Sequence, residues 1–309
     1  MHRRLLGGIV FLVVLAAAIV APNVSQRRVA GSAVPITVPG PPSRGDCVTS
    51  LADVNGELQG GGFGVGDEIE VPAPGLGPCA GPIVGEVVSV QPNAGVPQRL
   101  PAPRYQELMS ECGLSSIYYT GTVPPVVDGS SGAAAIVWAP AINFQFTYVG
   151  PSRLQRLVGQ QWSACVIGAP FARPYEGRLR DVLSRATLPS VFAHCWRTAA
   201  MLDSEQVDCD EPHAVELLAT TGLGSTPLTA TEVHRSCTVF AGRMMRTDDP
   251  TRGGALSYSI LDFRDTEVAV PPSAEPLSDT YITCIATTRG GLRLTGSLVG
   301  VGNGPLPTG

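Results

Sequence analysis

The 309-residue chain contains no lysine, so arginine carries all 21 of its basic positions. Aromatic residues make up only 6% of it and charged residues 15%, and histidine occurs four times, at His2, His194, His213 and His234. Nucleophile-elbow and metallohydrolase motifs are missing. These scarcities exclude whole classes of function. Arg3, Arg4, Arg27, Arg28 and Arg44 all precede the first acid, Asp46, so from Asp46 onward 16 arginines stand against 26 acids, a net charge of −10. Nucleic-acid binding needs a cationic patch to displace counterions, and an acidic body does not provide one. The same deficit disfavours docking on an anionic membrane surface.

What the chain does have begins with "MHRRLLGGIVFLVVLAAAIVAPN". Two arginines precede an uncharged apolar run, Leu5 to Ala21, and Pro22 ends it. This reads as an export signal, residues 1–21, either a cleaved signal peptide or an uncleaved signal anchor. Its 17 residues fall slightly short of the roughly 20 that usually span a bilayer. Arg3 and Arg4 hold the N-terminus in the cytoplasm. The body is therefore expected to be extracytoplasmic, at the cell membrane or, after signal cleavage, secreted. Residues 22–45 carry several prolines and no hydrophobic period, as a semi-extended tether would.

All eight cysteines follow the tether, and an even count in an oxidising compartment reads as disulfides. Their neighbours divide them into two sets: Cys47, Cys79, Cys112 and Cys165, then Cys195, Cys209, Cys237 and Cys284. Cys79-Ala-Gly-Pro82-Ile-Val-Gly-Glu86 aligns with Cys209-Asp-Glu-Pro212-His-Ala-Val-Glu216. Glu107 and Cys112 align with Glu232 and Cys237. Pro151-Ser152 precedes Cys165 much as Pro272-Ser273 precedes Cys284, and Trp162 and Tyr281 stand three residues before those cysteines. Arg178-Leu179 with Leu183 echoes Arg293-Leu294 with Leu298. Five features in one order indicate a tandem duplication, with copies over 46–190 and 191–309.

Each copy has a readable order of elements. "IVGEVVSV" (83–90) and "HAVELLAT" (213–220) are β-prone runs ending in turn-formers, as are "NFQFTYV" (143–149), "LSYSILDF" (256–263) and the segments around Cys165 and Cys284. The segment between Glu232 and Cys237 is a helix, opened by a capping box of Thr229 and Glu232. Val233, Cys237 and Phe240 share one face of it, with Gly242 expected as the stop and His234 on the solvated side. In the first copy Tyr105, Leu108 and Cys112 share a face and Gly113 is the expected stop. The expected fold class is α+β: two tandem related domains, each a mainly antiparallel sheet with one packed helix, stabilised by disulfides.

Gly45-Asp46-Cys47, then C-x-x-P-H-x-x-E over Cys209 to Glu216, a helix cysteine, and an aromatic three residues before a final cysteine resemble the septum formation family. Its members are exported or membrane-anchored envelope domains of actinobacteria. The resemblance covers both copies, roughly Asp46 to Pro307. It departs from the pattern where Ile83 replaces the family histidine, and where Ala193-His194-Cys195 stands for Gly-Asp-Cys. It implies an envelope location and a part in cell division, with envelope or division proteins or wall polymer as partners. It implies no particular reaction.

Cys195, Cys209, His194 and His213 are ligand types for zinc. On an extended strand, however, Cys209 and His213 would stand roughly 13 Å apart at about 3.3 Å per residue. Two ligands of one zinc lie within about 4 Å of each other, so the thiols read as disulfides and no metal or cofactor is expected. Each copy allows three connectivities. The favoured one joins Cys47–Cys79 and Cys112–Cys165, then Cys195–Cys209 and Cys237–Cys284, each contributing about 2–4 kcal/mol.

No catalytic residue is assigned. His213 and Glu216 are three apart and would face opposite sides of a strand. Glu86 and Glu216, present in both copies, suit a structural role such as pairing with an arginine. The glycines of "GELQGGGFGVGDE" (56–68) lead into acids that would repel phosphate, which leaves a flexible insertion. The sequence thus points to a non-enzymatic, membrane-tethered envelope protein that binds or scaffolds, with His213, Glu216 and Asp210 as a candidate functional surface. The alternative is an enzyme or carrier acting on envelope polymers around His213, Asp210 and Glu211.

Overall fold

Every residue of the strand Trp162–Gly168 is buried, which requires a central place in a sheet covered on both faces. The computed structural model describes residues 37–51, 68–121, 136–198, 205–262, 268–271 and 274–309. The apolar run 5–21, most of the tether and the glycine-rich stretch before Glu68 lie outside the described residues. No helix among the described residues is long and apolar enough to cross a membrane.

In chain order the strands and helices are β1 (Cys47–Ser50), β2 (Glu68–Glu70), β3 (Gly75–Gly77), β4 (Gly85–Pro92), β5 (Arg99–Pro101), α1 (Ala102–Thr120), β6 (Ala139–Pro140), β7 (Gln145–Val149), α2 (Arg153–Leu157), β8 (Trp162–Gly168) and α3 (Val182–Arg185). They continue as β9 (His194–Trp196), β10 (Gln206–Val207), β11 (Val215–Gly222), α4 (Ala230–Met245), β12 (Leu256–Asp262), β13 (Val268–Val270) and β14 (Tyr281–Thr288). One sheet runs β3-β1-β4-β8-β7 and the other β10-β9-β11-β14-β12-β13, with β6 added beside β11 and β2 paired with β5 separately. The strands pair antiparallel throughout. The fold is α+β, with α1 packed on the first sheet and α4 on the second.

The two sheets match at several positions, although the second also carries β13 and β6. Cys47 lies opposite Glu86, and Cys195 opposite Glu216. Cys165 lies opposite Ser89, and Cys284 opposite Ala219. Each central pair shifts register once, after Val87 in β4 and after Leu217 in β11. Such a bulge bends a strand and strengthens its twist, so both sheets curve at the same place. Disulfides join Cys47–Cys79, Cys112–Cys165, Cys195–Cys209 and Cys237–Cys284. In each half one bridge ties the strand next to the edge, β1 or β9, to the bend or turn that follows the edge strand, β3 or β10, and the other bolts the helix to an interior strand, β8 or β14.

The helices run past the glycines expected to stop them. α1 continues seven residues beyond Gly113 to a cap at Gly121, whose φ of 88° suits glycine. α4 continues through Gly242 to Arg246, in the left-handed region. A helical glycine costs about 1 kcal/mol relative to alanine, and burial outweighs it. Tyr105, Cys112 and Tyr119 on α1, and Val233, Cys237, Phe240 and Met244 on α4, are all essentially inaccessible. The missing side chains also serve packing: a Cβ at Gly242 would lie 3.2 Å from the Thr247 carbonyl oxygen. Pro101 and Pro103 sit where α1 has no backbone N–H to lose, and the capping box of Thr229 and Glu232 opens α4. His234 is half-buried rather than solvated, and its Nε2 donates to the Val270 carbonyl at 2.7 Å.

The halves share one core, which reaches from Cys47 through Tyr175 and Phe192 to Val299 within the single compact unit Gly40–Gly309. Residues between the two helices stitch it together. Ala141 donates to the Leu218 carbonyl at 2.9 Å, and the Trp138 indole donates to the Ser236 hydroxyl at 2.9 Å. Trp138 also stacks on Phe240, centroids 6.3 Å apart. Arg173 of the first half forms a two-pronged ion pair with Asp208 of the second. Phe240→Ala is expected to lower stability by about 3–5 kcal/mol, read by urea unfolding, with a matching change in Trp138 fluorescence.

Candidate functional site

The second half begins with a tight reversal. Cys209 and Asp210 form a turn, and the Glu211 N–H donates to the Asp208 carbonyl at 2.8 Å. His213 then pairs with Leu294 in both directions at 2.9 Å, and Ala214 donates to Trp196 at 3.0 Å. The segment therefore does not advance along an extended strand, and the separation expected of Cys209 and His213 does not hold. One donor atom from each of Cys195, Cys209 and His213 lies within 4.8 Å of the others.

All three residues are fully buried. The His213 Nδ1 lies 2.8 Å from the Glu211 carbonyl, which can only accept, so the proton sits on Nδ1. Burial holds the imidazole below its ordinary pKa, against the carbonyl contact that favours the charged ring. The ring is therefore neutral near pH 7, and its Nε2 lone pair has no hydrogen-bond partner. His194 is not part of this cluster: its Nδ1 accepts from the Gln206 amide at 3.2 Å. Burial lowers its pKa as well.

His213 and Glu216, read as a functional surface, are both at 0% exposure and form none. Asp210 alone of the three is exposed, together with Glu211, which pairs with Arg197 at 3.2 Å. Glu216 accepts from the Ser297 hydroxyl at 2.7 Å and the Leu298 N–H at 2.8 Å. Glu86 accepts from the Tyr119 hydroxyl at 2.6 Å, Arg178 Nε at 3.2 Å and the Leu179 N–H at 2.5 Å. Burial, and then the bond to Glu86, push the Tyr119 hydroxyl up to about 12.

These contacts correct the alignment of the closing segments by four residues. Leu179 corresponds to Leu298, so the counterpart of Arg178 is Ser297 and not Arg293, which is exposed. The arginine pairing expected of both glutamates exists for Glu86 alone. No cation among the described residues pairs with Glu216, and burial raises its pKa to about 7 against the lowering effect of Leu298 and Ser297.

A second feature went unread because Gly113 was taken as the end of a helix. Leu114, Ile117 and Tyr118, spaced three and four apart on α1, are 63%, 53% and 79% exposed. Beside them lies a cleft of about 340 Å³ floored by Ile117, Pro140, Ile142, Phe144, Phe146 and Leu183. Its hydroxyls are turned to the helix backbone, Ser116 to Cys112 at 2.9 Å and Thr120 to Ser116 at 3.0 Å. The apolar spacing in "GLSSIYYT" (113–120) is the signal that marks it.

No protein-family model, curated protein or solved structure matches this chain.

Glu216 generates a pH dependence. A carboxyl whose folded pKa is about 7 against 4.5 ordinarily adds stability that is complete below 4.5 and lost as pH rises through 7. Glu216→Gln is expected to remove that slope, on the order of 3 kcal/mol, so the variant gains on the parent chain between pH 4.5 and pH 8 in urea melts. Parallel curves for the two proteins would show that Glu216 titrates normally.

Proposed function

We propose that this chain is a non-enzymatic, membrane-tethered cell-envelope protein, acting as a binding or scaffold module in septum formation or cell-wall biology. The observation that carries the binding reading is the apolar face of α1 with the cleft beside it. Exposed apolar surface gathered around a concavity marks interaction sites more than scattered exposed residues do. Its lining suits the apolar side chains of a protein partner better than a hydroxyl-rich wall polymer.

The location rests on the resemblance to the septum formation family and on the apolar run at 5–21 followed by the tether. A tandem duplication is supported by the shared strand order, the shared bulge and the equivalent disulfides. The two copies differ on the corresponding helix face: where α1 carries Leu114, Ile117 and Tyr118, α4 carries Val239, Gly242 and Arg243. Binding through the cleft would thus belong to the first copy. An enzyme or carrier centred on His213 has less support, because Asp210 points to solvent and Glu216 is committed to Ser297 and Leu298.

Ile117→Asp combined with Leu114→Ser tests this reading, since both side chains are exposed and the fold does not depend on them. Crosslinking in living cells is expected to recover envelope proteins with the parent chain and at least tenfold less of them with the variant, at equal melting temperature. Equal recovery from both, or recovery of cytoplasmic proteins alone, counts against it.

A further inference from the structure

Cys195, Cys209 and His213 are the one group of sulfur and nitrogen ligand types that converges among the described residues. In the disulfide form both sulfurs are consumed by their own bond, and the Nε2 lone pair of His213 is buried without a donor. An unsatisfied buried acceptor is costly to the fold. The first half shows that the fold does not require it. There Cys47–Cys79 occupies the same strand register, and Ile83 forms the same backbone bridge that His213 does. The imidazole is also held as metal-bound histidines are held. Its Nδ1 donates to a backbone carbonyl, which fixes the tautomer and leaves Nε2 free to coordinate.

The geometry points to a zinc site formed by Cys195, Cys209 and His213 when the Cys195–Cys209 bridge is reduced, with the disulfide as the metal-free form. A dithiol reductant passes two electrons and two protons to the S–S bond and becomes a disulfide itself. The two thiols then lose their protons to solvent as the sulfurs bind Zn²⁺, so the divalent ion meets two thiolates and a neutral ring. The assembled site is uncharged, which suits a location without solvent contact. Zinc ligands stand about 4 Å apart given bonds near 2.0–2.3 Å. The sulfurs must separate to that distance, and a ring nitrogen of His213 already lies within 4.8 Å of both. Three protein ligands leave a fourth position for water.

The test uses the full chain, reduced with a phosphine in the absence of oxygen, given Zn²⁺, freed of excess metal and assayed for bound zinc with a colorimetric chelator. One zinc per chain is expected after reduction and none before it. His213→Ile, which installs the first half's own residue, is expected to keep the oxidised fold and melting temperature but bind zinc at least tenfold more weakly. Replacing Cys47 and Cys79 by alanine is expected to leave the stoichiometry unchanged. Cobalt(II) in place of zinc is expected to show the visible bands of a tetrahedral sulfur–nitrogen site, altered in His213→Ile. The inference is overturned if the reduced chain takes up no zinc, or if His213→Ile binds as tightly as the parent. Equal losses from the Cys47/Cys79 variant, or reduction that unfolds the chain without recovery on adding zinc, would also overturn it.

Discussion

A carboxylate taken out of water must find all its hydrogen-bond donors inside the protein, and two such groups organise this chain. Glu86 and Glu216 sit at the same place in the two sheets, opposite the first cysteine of each half. Each takes a backbone N–H from the segment that follows the last strand, Leu179 in one case and Leu298 in the other. Those segments have little regular structure of their own, and the carboxylates give them a fixed anchor across the sheet. From there the chain is led back to the helix: Asp181 donates to the Tyr119 carbonyl at 2.9 Å, and Gly300 to the Met244 carbonyl at 2.8 Å. One buried acid per half thus joins sheet, closing segment and helix end.

The halves solve the charge of that acid differently. Arg178 and Tyr119 surround Glu86 with a cation and a strong donor, and Arg178 also reaches the Gly45 carbonyl at 2.7 Å. The first strand is therefore tied into the same network. In the second half a serine and a backbone N–H replace this set, and the neighbouring position holds His213 where the first half has Ile83. The first half has an acid paired with a cation, and Ile83 at the bridge to its closing segment. The second has an acid held by neutral donors and, at its own bridge, a histidine whose Nε2 lacks a partner. Two halves with similar backbone plans need not carry the same chemistry.

Much of this was legible in the sequence, for identifiable reasons. Strands such as "WSACVIG" and "LSYSILD" announce themselves by β-branched and aromatic residues, and the even cysteine count announces the four disulfides. The helices pass the expected stops because Gly242 lies where close packing against Thr247 favours the smallest residue, and because α1 is carried past Gly113 by the buried side chains on either side of it. The proximity of His213 to the sulfurs was missed because a turn within Cys209–Glu211 looks, in a one-dimensional pattern, like the lead-in to a strand. The match of Arg178 to Arg293 failed because leucines recur every four residues there, and only the donors to Glu86 and Glu216 fix the register.

The short strand β6 has a consequence for how the molecule can be divided. It precedes β7 and β8 of the first sheet in the chain, yet it lengthens the second sheet through Ala139 and Pro140 and leaves the Trp138 ring against Phe240. Severed near residue 190, the second half would keep its sheet but expose the end of β11 as an open edge beside an empty socket for the indole. The first half would carry a dangling hydrophobic arm. Fragments with that complementarity are suited to reassemble with each other in trans rather than to live apart.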